Sequence, residues 1–288
     1  MSLMSKLLTI WISSAVLIFA AGNLTTKQKI EKFLTTSIKP NKNIKVLGFK
    51  VAKVVDISKE IPGWKAYVIT IELELLKQNN RVITIKDALF SNGKYITRQF
   101  VNLSNKKKVK DEVLQDFYPD ADNSYYNKEH LLYGSSDAKY RLLVFSDPQC
   151  PFCMDFVPDL MEFVKKHPNT FALYYYHLPL VIHPGSDTIV KALIAADKKG
   201  NTGLEEKVYK VNLDTKKHDP KTVLDKFNKE LKTDITLDDI KQKDVLKRYS
   251  DDLYKSNKLM INGTPTIYIN GKYDKGREKI EKLMKEYK

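Results

Sequence analysis

Cys150 and Cys153 are the only cysteines in the chain, and Pro151 and Phe152 alone separate them. A cysteine acts as its thiolate, which a free thiol at neutral pH mostly is not, so a reactive pair needs something that stabilises negative charge. The N-terminus of a helix does so through its unpaired N–H groups and partial positive charge. Pro151 suits the first helical position, where its missing N–H is not needed and its fixed φ is already helical. With Cys150 at the helix start, Cys153 lies beneath it, within reach of a mixed disulfide on Cys150. The chemistry is thiol–disulfide exchange, with Cys150 as nucleophile and Cys153 as resolving thiol, and it requires neither metal nor organic cofactor. Zinc would need further ligands, and His177 and His183 stand in no spacing that completes a site. A crosslink closing so small a loop would constrain little of the unfolded chain.

The surrounding sequence supplies the elements such a pair needs. Residues 141–146 form a short apolar run that suits a strand buried on both faces, and Asp147-Pro148-Gln149 turns the chain into the cysteines. Phe152, Phe156, Leu160, Phe163 and Val164 mark one side of the following helix, which His167-Pro168 ends; Phe171 to Tyr176 reads as the next strand. A helical insertion fills about 184–259. Its segments are a helix capped by Ser186-Asp187, one over Pro220–Leu231 and one over Leu237–Leu259. Thr266–Ile269 then meets Lys272-Tyr273 across Asn270-Gly271, and Ile280, Leu283, Met284 and Tyr287 carry a final helix. Residues 128–288 therefore read as one α/β domain with the pair at a strand-to-helix junction.

The half before it is different. Thr25-Thr26 caps a short helix through Leu34 that Pro40 closes, and strands are expected over Ile44–Val55, Trp64–Leu76 and Arg81–Ile85. Gln78-Asn79-Asn80 and Ser91-Asn92-Gly93-Lys94 mark tight turns. Alternation along the second strand predicts a sheet with one wet face. Residues 23–102 thus form a small α+β domain without a catalytic constellation. Residues 103–127 read as a linker helix, striped by Val109, Val113 and Phe117, followed by a solvated loop. A sheet of this kind leaves edges that pairing with an identical copy would cover, which predicts a homodimer.

The first 22 residues carry one charge, Lys6, and an apolar run from Leu7 to Ala21, as a signal peptide does. Cleavage after Ala21 or Gly22 and retention as an anchor both fit. The remainder has an ordinary globular composition, 42% hydrophobic and 29% charged over 288 residues, enough for two modest domains. The formal charge of +14 comes from lysines scattered through every segment, with no motif or aromatic-interleaved basic stripe, which argues against nucleic-acid binding. Export places the pair where disulfides form and persist.

Ser146-Asp147-Pro148-Gln149-Cys150-Pro151-Phe152-Cys153, the helical insertion and Gly263-Thr264-Pro265 resemble the periplasmic DsbC/DsbG type of disulfide isomerase, and residues 87–96 extend the likeness into the first domain. The resemblance implies a thioredoxin-like domain whose Pro265 is cis and packs, with Thr264, opposite the cysteines. It implies that 23–102 is a dimerisation domain, that two catalytic domains share a cleft for misfolded disulfide-containing exported proteins, and that a membrane partner keeps the pair reduced. Thr264, and the absence of histidine at Pro151-Phe152, lean toward isomerase or reductase. Leu178-Pro179-Leu180 with His183-Pro184-Gly185 resembles instead the oxidase branch of the same superfamily. A disulfide-introducing oxidase and a non-redox exported binding protein are the competing readings.

Overall fold

The computed structural model describes residues 24–37, 44–76, 81–115, 117–215 and 217–287. The signal segment at 1–22, the helix stop at Pro40 and the Gln78-Asn79-Asn80 turn lie outside the described residues. The chain forms two compact units that divide between Tyr118 and Pro119.

In the first unit, Thr25 and Gln28 cap each other's backbone at the start of helix α1 (Thr26–Ser37). Strands β1 (Ile44–Asp56), β2 (Lys65–Leu75), β3 (Arg81–Ser91) and β4 (Ile96–Thr97) then form an antiparallel sheet in sequence order. β3 runs six residues beyond the expected Ile85, because Asp87–Ser91 pair with β2 all the way to Lys65. Ile30 and Leu34 of α1 bury one sheet face against Val51, Tyr67, Ile69 and Leu73.

The other face is wet only in part. Alternating burial holds from Ile69 onward, whereas Ala66, Tyr67 and Val68 are all buried. The cover is the segment expected to be a solvated spacer. Helix α2 (Val109–Gln115) lays Val109 and Val113 against Phe90 and Ala66, with Phe100 edge-on to Trp64 and Phe90. The expected linker helix is thus short and belongs to the first unit's core. Apolar residues at spacing four gave its periodicity correctly, but periodicity does not say what an apolar stripe packs against.

The second unit holds a five-stranded sheet in the order β5-β7-β6-β8-β9. Its strands are β5 (Leu131–Tyr133), β6 (Tyr140–Ser146), β7 (Phe171–His177), β8 (Thr266–Ile269) and β9 (Lys272–Tyr273). β6 and β7 run parallel, joined by helix α3 (Pro151–Lys166), and the other pairs are antiparallel. All seven β7 residues are buried, and so are the last five of β6, which is why both read as continuous apolar runs.

The insertion comprises α4 (Ser186–Lys198), α5 (Leu204–Lys207), α6 (Pro220–Leu231) and α7 (Lys243–Lys258). The helix expected over Leu237–Leu259 begins as a separate 3-10 turn at Asp239–Lys241, and α7 starts at Lys243. A buried carboxylate ties this layer to the sheet. Asp252 of α7 meets His130 Nε2 at 2.7 Å, and accepts from Arg248 Nε at 3.1 Å and from the His177 N–H of β7 at 3.0 Å. Helix α8 (Glu278–Glu286) closes the chain on Ile280 and Leu283. Among the described residues no helix is long and apolar enough to cross a membrane.

Candidate functional site

The chain leaves β6 at Ser146, in the buried centre of the sheet, and turns so that Cys150 becomes the N-cap of α3 with extended backbone (φ −77°, ψ 120°) and Pro151 opens the helix. Cys150 O receives the N–H groups of Cys153 and Met154, both at 3.0 Å. The Cys150 sulfur lies 3.4 Å from the Thr264 carbonyl oxygen, which brings the loop before β8 onto the pair, and the Thr264–Pro265 peptide is cis. Cys150, Cys153, Thr264 and Pro265, 115 positions apart at the extremes, thus meet at one place. Phe152 stands beside them, 71% exposed.

The two thiols are electrostatically unlike. The Cys153 thiol, donating to Cys150, is the chief cause that brings Cys150 down to about 5; the Thr264 hydroxyl and the N–H groups of Cys153 and Phe152 add to it against the effect of burial. Cys153 is pushed strongly up, first by burial and then by its role as donor to Cys150; the Asp147 N–H and the hydroxyls of Ser146 and Thr264 offset part of this. Thr264 Oγ1 meets no ordinary hydrogen-bond geometry among the described residues although it lies close enough to both sulfurs to favour their charged forms. An attacking thiol calls for exposure, yet Cys150 is only 3% exposed, with Thr264 O 3.4 Å from its sulfur.

Sequence reasoning took Asp147 for a turn residue and missed its main part. It is fully buried and its carboxylate has four partners. Oδ1 accepts from the Gln149 N–H at 2.8 Å and the Ser186 hydroxyl at 2.5 Å; Oδ2 accepts from the Leu180 N–H at 2.7 Å and faces His183 Nδ1 at 2.8 Å. Asp147 O also receives the Cys150 N–H at 3.1 Å. One side chain therefore clamps the loop 178–186 to the turn that carries the cysteines. Ser186, expected to cap α4, spends its hydroxyl on Asp147, and Gly185 occupies the cap position. The available signal was an Asp-Pro turn next to the pair and a His-Pro-Gly loop downstream, and spacing alone does not join them. Among the described residues no group of three or more His, Cys, Asp or Glu side chains is arranged to hold a metal ion.

A parallel strand–helix–strand unit with a CxxC at the helix start and a cis-proline loop opposite defines a thioredoxin-fold protein with a redox-type dithiol site. Residues 126–286, more than half of the chain, match the thioredoxin family, and the chain belongs to it. It is similar to the probable disulfide bond formation protein D of Bacillus cereus, with 24% identity over 172 residues covering 53% of this chain and 77% of that protein. Among solved structures it is similar to the catalytic domain of Proteus mirabilis ScsC, with 26% identity, 57% of this chain and 93% of that chain covered, and a TM-score of 0.43. A periplasmic thioredoxin-like protein from Salmonella enterica serovar Typhimurium is 20% identical over 57% of this chain and 94% of its own, with a TM-score of 0.42. The family match lies wholly within the second unit.

Proposed function

We propose that this protein is an exported, periplasmic thiol–disulfide oxidoreductase that acts on disulfide-containing exported proteins, as an isomerase or reductase of the DsbC/DsbG kind. The carrying observation is the division of labour between the thiols: Cys150 is held as a thiolate at neutral pH and Cys153 is kept protonated beneath it. Cys150 attacks a substrate disulfide, releasing one substrate sulfur as a thiolate and forming a mixed disulfide. Cys153 then gives up its proton and attacks Cys150, the second substrate sulfur leaves, and two electrons have passed from the pair to the substrate. If another substrate thiol attacks the mixed disulfide first, Cys150 is returned as thiolate and the substrate disulfide has been moved. Thr264 and Pro265 support the site by presenting backbone beside Cys150, where an extended substrate segment can pair. Pro151 sets the helix start, and Phe152 offers an apolar contact at its rim.

The oxidase reading has a specific observation in its favour. A stabilised Cys150 thiolate stabilises the reduced protein, which makes the disulfide form a stronger oxidant. Equilibration with glutathione separates the two. A potential at or below about −180 mV supports isomerase or reductase work with a membrane reductant as partner, and one near about −120 mV supports disulfide donation.

The first unit is proposed to make the protein a homodimer. Among the described residues β1, 13 residues long, pairs in the sheet with β2 alone, and its Leu47 and Val54 are exposed. A second copy would cover that strand under two-fold symmetry. Sedimentation of the mature chain as a dimer at micromolar concentration is expected, and a monomer there would remove this part of the proposal.

A further inference from the structure

In the mixed-disulfide state Cys153 must lose a proton from a site without solvent contact. Cys150 is then no longer a thiolate, so the Cys153 S–H is free to turn to its other polar neighbours. Ser146 is the one that leads onward. Its hydroxyl is among the groups that favour the Cys153 thiolate, is fully buried, and meets the Tyr209 hydroxyl at 2.6 Å, which in turn meets the Tyr175 hydroxyl at 2.5 Å. Burial holds both tyrosines neutral throughout the physiological range, so each has one proton to hand on and one lone pair to receive with. Tyr175 lines a cavity of about 570 Å³, whose walls also include His177, Asp197, Lys198, Glu205 and Arg248. Burial raises the Glu205 carboxyl above the ordinary carboxylate range.

We propose that Ser146, Tyr209 and Tyr175 form a proton relay that carries the Cys153 proton from the buried resolving thiol to the Glu205 cavity. This deepens the redox reading above and rests on it. Cys153 gives its proton to Ser146 Oγ, Ser146 gives its own to Tyr209, Tyr209 to Tyr175, and Tyr175 to the Glu205 carboxylate or to solvent in the cavity. Every hydroxyl ends neutral. The proton that Ser146 has received now points back at the Cys153 thiolate, which attacks Cys150, forms the intramolecular disulfide and expels the substrate sulfur as a thiolate. Ser146 acts on the reacting sulfur; Tyr209 and Tyr175 act through it.

The test is stopped-flow reaction of the reduced full chain with one equivalent of 5,5′-dithiobis(2-nitrobenzoate) at pH 7. Attack by Cys150 releases a first coloured thiolate, and resolution by Cys153 releases a second in a phase independent of concentration. The leaving group needs no proton, so the second phase reports deprotonation of Cys153. Wild-type protein should show both phases, with a solvent deuterium isotope effect on the second of on the order of two or more, and Tyr209→Phe should slow that phase by about tenfold or more and leave the first unchanged. Ser146→Ala and Tyr175→Phe should do the same, each with a wild-type circular dichroism spectrum. A second phase of wild-type rate in folded Tyr209→Phe overturns the relay, as does a wild-type second phase without an isotope effect. Absence of a first or second phase in the wild type would contradict the redox reading itself, a different outcome from either.

Discussion

Cys150 and Cys153 occupy one turn of one helix yet are driven in opposite directions: the Cys153 thiol, as donor, favours charge on Cys150, while burial first and that same bond second keep the proton on Cys153. The largest single contribution to the Cys150 thiolate is the donor on Cys153. Alkylation of Cys150 by iodoacetamide should therefore rise with pH through a midpoint at about 5, and Cys153→Ala should move that midpoint upward, since the donor is lost and the backbone N–H groups remain. A wild-type midpoint in the ordinary thiol range would contradict the assigned asymmetry. Asp147 works at the same scale by holding rather than reacting. Its carboxylate closes four contacts from a position without solvent, so Asp147→Ala strands several buried donors and should lower the unfolding free energy of the second unit by about 3–5 kcal/mol, read from urea unfolding. A loss within about 0.5 kcal/mol, the level of an ordinary surface change, would show that the loop 178–186 is held by other means.

Elements came through the sequence where their signal is local. Pro151 at the helix start, the β6–α3–β7 order and the β8–β9 hairpin were all legible, because each follows from one short stretch and its turn residues. The hairpin shows why: Asn270 and Gly271 both adopt positive φ, 48° and 82°, as a two-residue turn requires. What the sequence did not show is why alanine would be excluded there. A Cβ on Gly271 would lie 2.7 Å from Ala121 O, whose own N–H donates to Gly271 O at 2.8 Å. Gly271→Ala should thus cost stability through both φ and the clash, by roughly 1–3 kcal/mol in thermal or urea unfolding of the second unit, and a neutral effect would deny the close approach. β5 was not legible, being three residues long and defined by its pairing with β7, and the tie between Ser186 and Asp147 was not because it joins positions 39 apart through a fold. The same limit hid Tyr175 and Tyr209, whose hydroxyls meet only once the insertion packs on β7. The cysteine pair was readable as a candidate because its members lie within four residues, and the groups around it were not because they are assembled by tertiary packing.

The molecule as a whole is two units with separate cores, one that carries the dithiol and one without cysteine. That division puts both thiols in the second unit, and the proposed homodimer would be the work of the first. The exchange chemistry depends on Cys150 being the group that meets the substrate and Cys153 the group that ends the encounter. The most direct measurement is to express full-length Cys153→Ala and Cys150→Ala variants, quench the cells in acid and resolve their protein adducts with and without reductant. Cys153→Ala should accumulate reductant-sensitive mixed disulfides with exported proteins, since nothing remains to displace the captured sulfur, while Cys150→Ala should yield none because its buried resolving thiol stays protonated. Adducts on Cys150→Ala in place of Cys153→Ala, or on neither variant, would contradict the account.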